Sequence, residues 1–158
     1  MVKKKLKRMH KTFPIEQYQG FPPVIVGGID LMPYVLDLVK YMCSIPDLNI
    51  KPVPNIIFSK SQEYAQDVFG KTAYYNPTNK TITVFTANRH PKDVLRSIPH
   101  ELIHHDQNMR EDMSADLDQA LSDPLYSQHN QRLREFEEEA YLRGNMYFRD
   151  WTEKYKIG

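Results

Sequence analysis

Residues 91–110 read Pro-Lys-Asp-Val-Leu-Arg-Ser-Ile-Pro-His-Glu-Leu-Ile-His-His-Asp-Gln-Asn-Met-Arg. Val94, Leu95, Ile98, Leu102 and Ile103 recur at spacings of three and four, which predicts one amphipathic helix from about Pro91 to Met109. Pro91 suits the first helical turn, where its missing N–H is no loss. Pro99 lies inside the stripe and is expected to kink the helix just before His100, because it removes a backbone hydrogen bond. The stretch His100-Glu101-Leu102-Ile103-His104 is an HExxH motif. Two imidazoles four residues apart sit one turn above each other on one helix face. So placed, they can reach a single zinc ion at roughly 2.0–2.1 Å. Glu101, one position from the first histidine, points toward a water, from which it can take a proton to pass later to a leaving amine. In this composition a chance HExxH is expected in roughly one shuffle in eighty. Its place on an amphipathic helix after a β-ribbon lowers those odds. Two surface histidines on a helix are the alternative reading.

A zinc ion with an open position for water needs a third protein ligand. The HExxHxxGxxH pattern is excluded, since Gln107 stands at its glycine and Arg110 at its last histidine. His105 is about 100° round the helix from His104 and is not expected to share the metal. Downstream, Arg134–Arg149 contains Glu137-Glu138-Glu139-Ala140 and then Gly144. A solvated acidic helix face over Glu135–Glu139 is the alternative there.

HExxH followed by ExEA and a small residue resembles the gluzincin metallopeptidases. It is similar to the HtpX-like membrane proteases and the soluble ImmA/IrrE-like proteases, and the chain resembles the compact minigluzincins in size. The match covers residues 92–110 and 132–149. The resemblance implies one Zn²⁺ per chain, with Glu137 as third ligand and Glu138 or Glu139 as the fallback. Those families place Asp or Asn four residues after the ligand Glu, to orient a metal-bound histidine through a hydrogen bond. Here that position is Tyr141, which can still hydrogen-bond but changes the geometry. The implied fold is α+β with a zincin-like core: a small, twisted, mainly antiparallel sheet, an active-site helix and a C-terminal ligand-bearing helix. The edge strand of such a sheet binds extended peptide by strand addition. Thr81, Ile82, Thr83, Val84 and Phe85, directly before the active-site helix, are the natural candidates. A gluzincin often adds a Tyr or His that stabilises the oxyanion. Tyr126 and His129 lie in the segment where such a residue could sit, although each also reads as an ordinary surface or packing residue.

The rest of the chain is consistent with one domain over residues 25–158 behind a basic, proline-containing tail, residues 1–24. At 158 residues, 41% hydrophobic and 26% charged, it has enough apolar residues for one core. Residues 1–11 carry six Lys/Arg and no acid, leaving the remainder at a net −5. The tail reads as a solvated arm, with contact to nucleic acid or an acidic partner as the alternative. Asp30 is expected to cap a helix running to about Ser44, with Leu31, Tyr34, Val35, Leu38, Val39 and Met42 on one face. Asn55–Ser59, Thr72–Tyr75 and Thr81–Thr86 read as strands. The alternation in Thr81–Thr86 suits a half-buried or edge strand. Short helices are expected over Ser61–Phe69 and Ala115–Leu121, and a long one from about Asn130 to Tyr155, where Tyr141, Tyr147, Phe148 and Trp151 form a core stripe. The single cysteine, Cys43, permits no intrachain disulfide and reads as a small core residue. No run approaches the roughly 18 apolar residues of a membrane span, and no apolar segment follows the basic N-terminus as in a secretory signal. A cytoplasmic protein, or one assembled into a larger particle, is therefore expected.

These readings lead to a zinc metallopeptidase acting on a peptide or protein substrate. The competing reading is a non-catalytic or narrowly specific zinc-containing structural or assembly protein, for example a viral particle component. Glu101 speaks against that alternative, because a purely structural zinc site has no use for the carboxylate.

Overall fold

The computed structural model describes residues 21–62, 71–111 and 131–155. The helices expected over 61–69 and 115–121, the tail up to residue 20, and Tyr126 and His129 lie wholly or almost wholly outside them. Within the described residues the fold is α+β, with five short strands and three helices. The first two strands, β1 (Ile25–Val26) and β2 (Ile29–Asp30), form a hairpin. Its two-residue turn, Gly27-Gly28, has φ of +57° and +76°, a backbone that glycine adopts without a Cβ penalty. Asp30 Oδ1 accepts from Val24 N at 2.9 Å and from Met32 N at 3.0 Å. One carboxylate thus closes the hairpin and satisfies the first N–H of helix α1 (Met32–Cys43). The buried face of α1 includes Tyr34, Val35, Leu38 and Met42, as the spacing predicts.

The main sheet contains β3 (Asn55–Ser59), β4 (Ala73–Asn76) and β5 (Thr81–Phe85), in the order β3-β5-β4. It is mixed, since β5 runs parallel to β3 and antiparallel to β4. The β4–β5 turn is held by Asn76 Oδ1, which accepts from the backbone of Thr78 and Asn79. This hairpin inserts its second strand beside β3, so the expected edge strand Thr81, Ile82, Thr83, Val84 and Phe85 lies at the centre of the sheet instead. Alternation in Thr81–Phe85 reports one covered face, on which Ile82 and Val84 are fully buried. A central strand of a sheet covered on one side shows the same alternation as an edge strand.

Helix α2 (Pro91–Arg110) runs unbroken through Pro99. His90 caps it by accepting from Lys92 N. Arg89 fixes its start to the sheet, donating to Phe85 O at 2.7 Å and to Asp93 O and Ser97 Oγ at 2.8 Å. Helix α3 (Gln131–Tyr155) packs along α2. Ala140, Tyr147, Phe148 and Trp151 are buried on its inner face, while Tyr141 is exposed and leaves the expected core stripe. Trp151 Nε1 donates to the buried Asp37 Oδ2 at 2.9 Å, which ties α3 to α1. No helix among the described residues is long and apolar enough to cross a membrane.

Helix α3 comes close to the α2 backbone at Gly144. A Cβ added there would lie 2.9 Å from His100 Cα and 3.0 Å from His100 N. Both are backbone atoms that cannot swing aside, so a larger residue must push the helices apart. Gly144→Ala gains about 1 kcal/mol of helix propensity. Overpacking at a backbone contact costs about 1–3 kcal/mol, so the variant is expected to be less stable overall. Chemical denaturation of the metal-free protein checks this; a more stable Gly144→Ala would show that the helices are not held in contact there.

Candidate metal centre

Helix α2 presents His100 and His104 one turn apart, with ring centroids 5.2 Å apart and planes at 73°. Helix α3 brings Glu137 to both. Glu137 Oε2 lies 3.5 Å from His100 Nε2, and Oε1 lies 3.0 Å from His104 Nε2. The three ligand atoms fall within 4.8 Å of one another, so the group could hold a metal ion. Glu137 reaches this position because Gly144 is seven residues further along α3, nearly on the same face, with Ala140 buried between them. Two small residues at this spacing let the backbones close and leave the carboxylate over the histidines. The sequence suggested all three as candidate ligands, and the structure brings them together.

The fallback ligands are elsewhere. Glu138 is not in the group of side chains that could hold a metal, and Glu139 binds Arg110 at 3.2 Å and Arg143 at 3.1 Å. Tyr141 is 62% exposed and shares a groove with Lys92, Arg96 and Asn145, so it orients neither histidine. Its position on the flank of α3 turns it to the surface. His105 is buried on the other side of α2, where Tyr75 Oη meets its Nδ1 at 2.8 Å and its Nε2 faces Pro52 O at 2.8 Å and Ile50 O at 3.1 Å. Burial lowers its pKa, which suits a neutral ring donating to those carbonyls. Asp106 is also buried and holds Asn49 N and Arg110 Nε. Both residues therefore anchor the segment before β3 and leave the metal group alone. Gln107, considered in the sequence only as a missing glycine, is in contact with His104: its Oε1 lies 2.8 Å from His104 Nδ1. Polar side chains one turn beyond a candidate ligand are the sequence signal that finds it.

Glu101 is 5% exposed, and its Oε2 is buried without a hydrogen-bond partner among the described residues. Burial raises its pKa, opposed by the charges of His104 and His100. An orphaned carboxylate oxygen is costly unless a ligand or a water completes it. Two imidazoles and a carboxylate are a donor set that suits zinc and leaves a coordination position open, so the residues fit a metal ion with a water beside Glu101.

No family model matches this chain, and neither does any curated protein or solved structure.

The electrostatics of the group would make metal binding there pH-dependent. Burial lowers the pKa of His104, but the hydrogen bond to Glu137 and the charges of Glu101 and Glu137 outweigh it and raise it to about 8. Glu137 is more than half exposed, and its partial desolvation is outweighed by the hydrogen bonds from His100 and His104, so its pKa is lowered and it stays a carboxylate. A folded-state pKa raised above the unfolded value gives stability that is present below about pH 6.5 and lost as pH rises through about 8. A metal ion must displace the same proton from His104 Nε2. Between pH 6 and 8 the metal-free protein is therefore expected to lose stability while zinc affinity rises by roughly tenfold per pH unit, levelling off above about 8. Chelator-competition titrations and thermal melts across pH 6–9 check both slopes; affinity independent of pH would contradict the assignment of His104 as a ligand.

Proposed function

We propose that this chain is a zinc-dependent metallopeptidase of gluzincin type, hydrolysing peptide bonds at the His100/His104/Glu137 centre. The observation that carries the reading is the buried Glu101, whose carboxylate Oε2, unpartnered among the described residues, sits in the field of the three candidate ligands. A zinc site that serves structure alone leaves such a carboxylate without a role, which disfavours the assembly-protein alternative. His100, His104 and Glu137 would hold the metal and leave one position open. When bound, zinc supplies a Lewis acid that makes a water nucleophilic near neutral pH and polarises a carbonyl. Glu101, its pKa raised by burial, is suited to take a proton at Oε2 and return it to the leaving amine.

The zincin-like core belongs to the same proposal, with α2 as the active-site helix and α3 bearing the third ligand. The peptide-docking strand of that core is assigned to β4. Among the described strands β4 is an edge of the main sheet, and the positive charge of Lys71 just before it acts on Glu101. Phe85 N donates to Thr72 O. By alternation from this pair, the backbone groups of Ala73 and Tyr75 point away from β5, toward the side on which a substrate strand would add.

Metal analysis beside a peptidase assay tests the proposal. Wild type is expected to hold about one zinc per chain, and His104→Ala and Glu137→Gln to lose it. Glu101→Gln is expected to keep zinc while hydrolysis of a general protein substrate falls by at least about a hundredfold. Zinc retained with no hydrolysis by wild type would instead favour the non-catalytic reading.

A further inference from the structure

We infer that Gln107 is a positioning residue that fixes the tautomer and ring orientation of His104 and couples both to the placement of Glu137. The inference rests on the metal-site reading above and deepens it. The amide of Gln107 has one orientation that satisfies its neighbours. Its Nε2 lies 2.9 Å from Phe136 O and 2.8 Å from Glu139 Oε1, both of which can only accept. The amide carbonyl is therefore the end that faces His104 Nδ1 at 2.8 Å, and Nδ1 must carry the hydrogen. The lone pair available to a metal is then on Nε2, the nitrogen that faces Glu137. Gln107 is 1% exposed, so no bulk water stands ready to replace either set of bonds.

Both anchors of the amide are on α3 and flank the third ligand, with Phe136 immediately before Glu137 and Glu139 two residues after it. Glu139 is itself held by Arg110 and Arg143. Displacement of α3 would thus break the bonds that aim the Gln107 carbonyl as well as move Glu137. The orienting role that the family resemblance gives to the position of Tyr141 is filled here from α2, three residues after the histidine it serves. Tyr141 is accordingly at liberty to lie on the surface.

Two substitutions separate the two halves of the amide. Gln107→Glu keeps an acceptor for Nδ1–H and loses the donors to α3, while Gln107→Lys keeps donors and loses the acceptor. Gln107→Met removes both at similar size. Zinc affinity is measured by chelator competition at pH 9. Cobalt(II) spectra of the loaded proteins and melts of the metal-free ones accompany it. Gln107→Lys and Gln107→Met are expected to weaken zinc by about 10–100-fold and to shift the cobalt d–d bands. Gln107→Glu is expected to stay within about threefold of wild type, whatever its melting temperature. If Gln107→Lys binds like wild type and Gln107→Glu does not, Gln107 is a helix–helix tie and the inference is overturned. Wild-type affinity in all three variants overturns it as well. Failure of wild type itself to take up zinc would sink the metal-site reading and this inference together, an outcome distinct from either of these.

Discussion

Where α2 and α3 cross, the Gly144 backbone lies so close to His100 that no Cβ fits between them. The geometry of the candidate centre depends on that contact. Two histidines on one helix define a line of donors, and a third donor must come from another element at the right depth. With Ala140 and Gly144 on the facing side of α3, the helix axes can approach closely enough for a side chain as short as glutamate to reach both rings. The Trp151–Asp37 bond and the buried Phe148 hold the far end of α3 in the same core. Local packing and the proposed chemistry are therefore one problem, because whatever separates the helices also draws Glu137, the proposed third ligand, away from the histidines.

Around this contact, burial gives each polar group a different role. Glu101, His104, His105, Asp106 and Gln107 are all buried in consecutive or nearly consecutive positions of α2. His105 and Asp106 face the segment before β3 and are fully engaged in holding it. His104 and Gln107 face α3 and meet its backbone and carboxylates. Glu101 alone keeps a buried oxygen without a partner among the described residues. A helix that buries this much polarity is stable only if nearly every group is paired. The one exception then draws attention to the place where a water would complete the network.

Much of this was legible in the sequence, for identifiable reasons. The apolar spacing in α1 and α2 and the β-branched alternation in β5 report local periodicity, and the helices and strands appeared where the periodicity put them. Glu137 was legible through the resemblance of its ExEA context, and the structure places it against both histidines. Strand order was not legible, because alternation in Thr81–Phe85 depends on which face is covered and carries no information about neighbours on either side. The Gly27-Gly28 hairpin was not legible, since its two-residue strands leave no periodicity to detect. Tyr141 and Gln107 show a third limit. The hydrogen-bonding partner of a histidine is set by three-dimensional proximity, and a glutamine one turn along the same helix can fill a role expected of a residue on another helix.

The most direct test of the proposed centre is anomalous diffraction at the zinc absorption edge from crystals of the zinc-loaded protein. The expected result is a single strong peak within about 2.0–2.2 Å of His100 Nε2, His104 Nε2 and a Glu137 carboxylate oxygen. No peak at that position, or a peak held by other residues, would contradict the assignment of these three side chains as a metal centre.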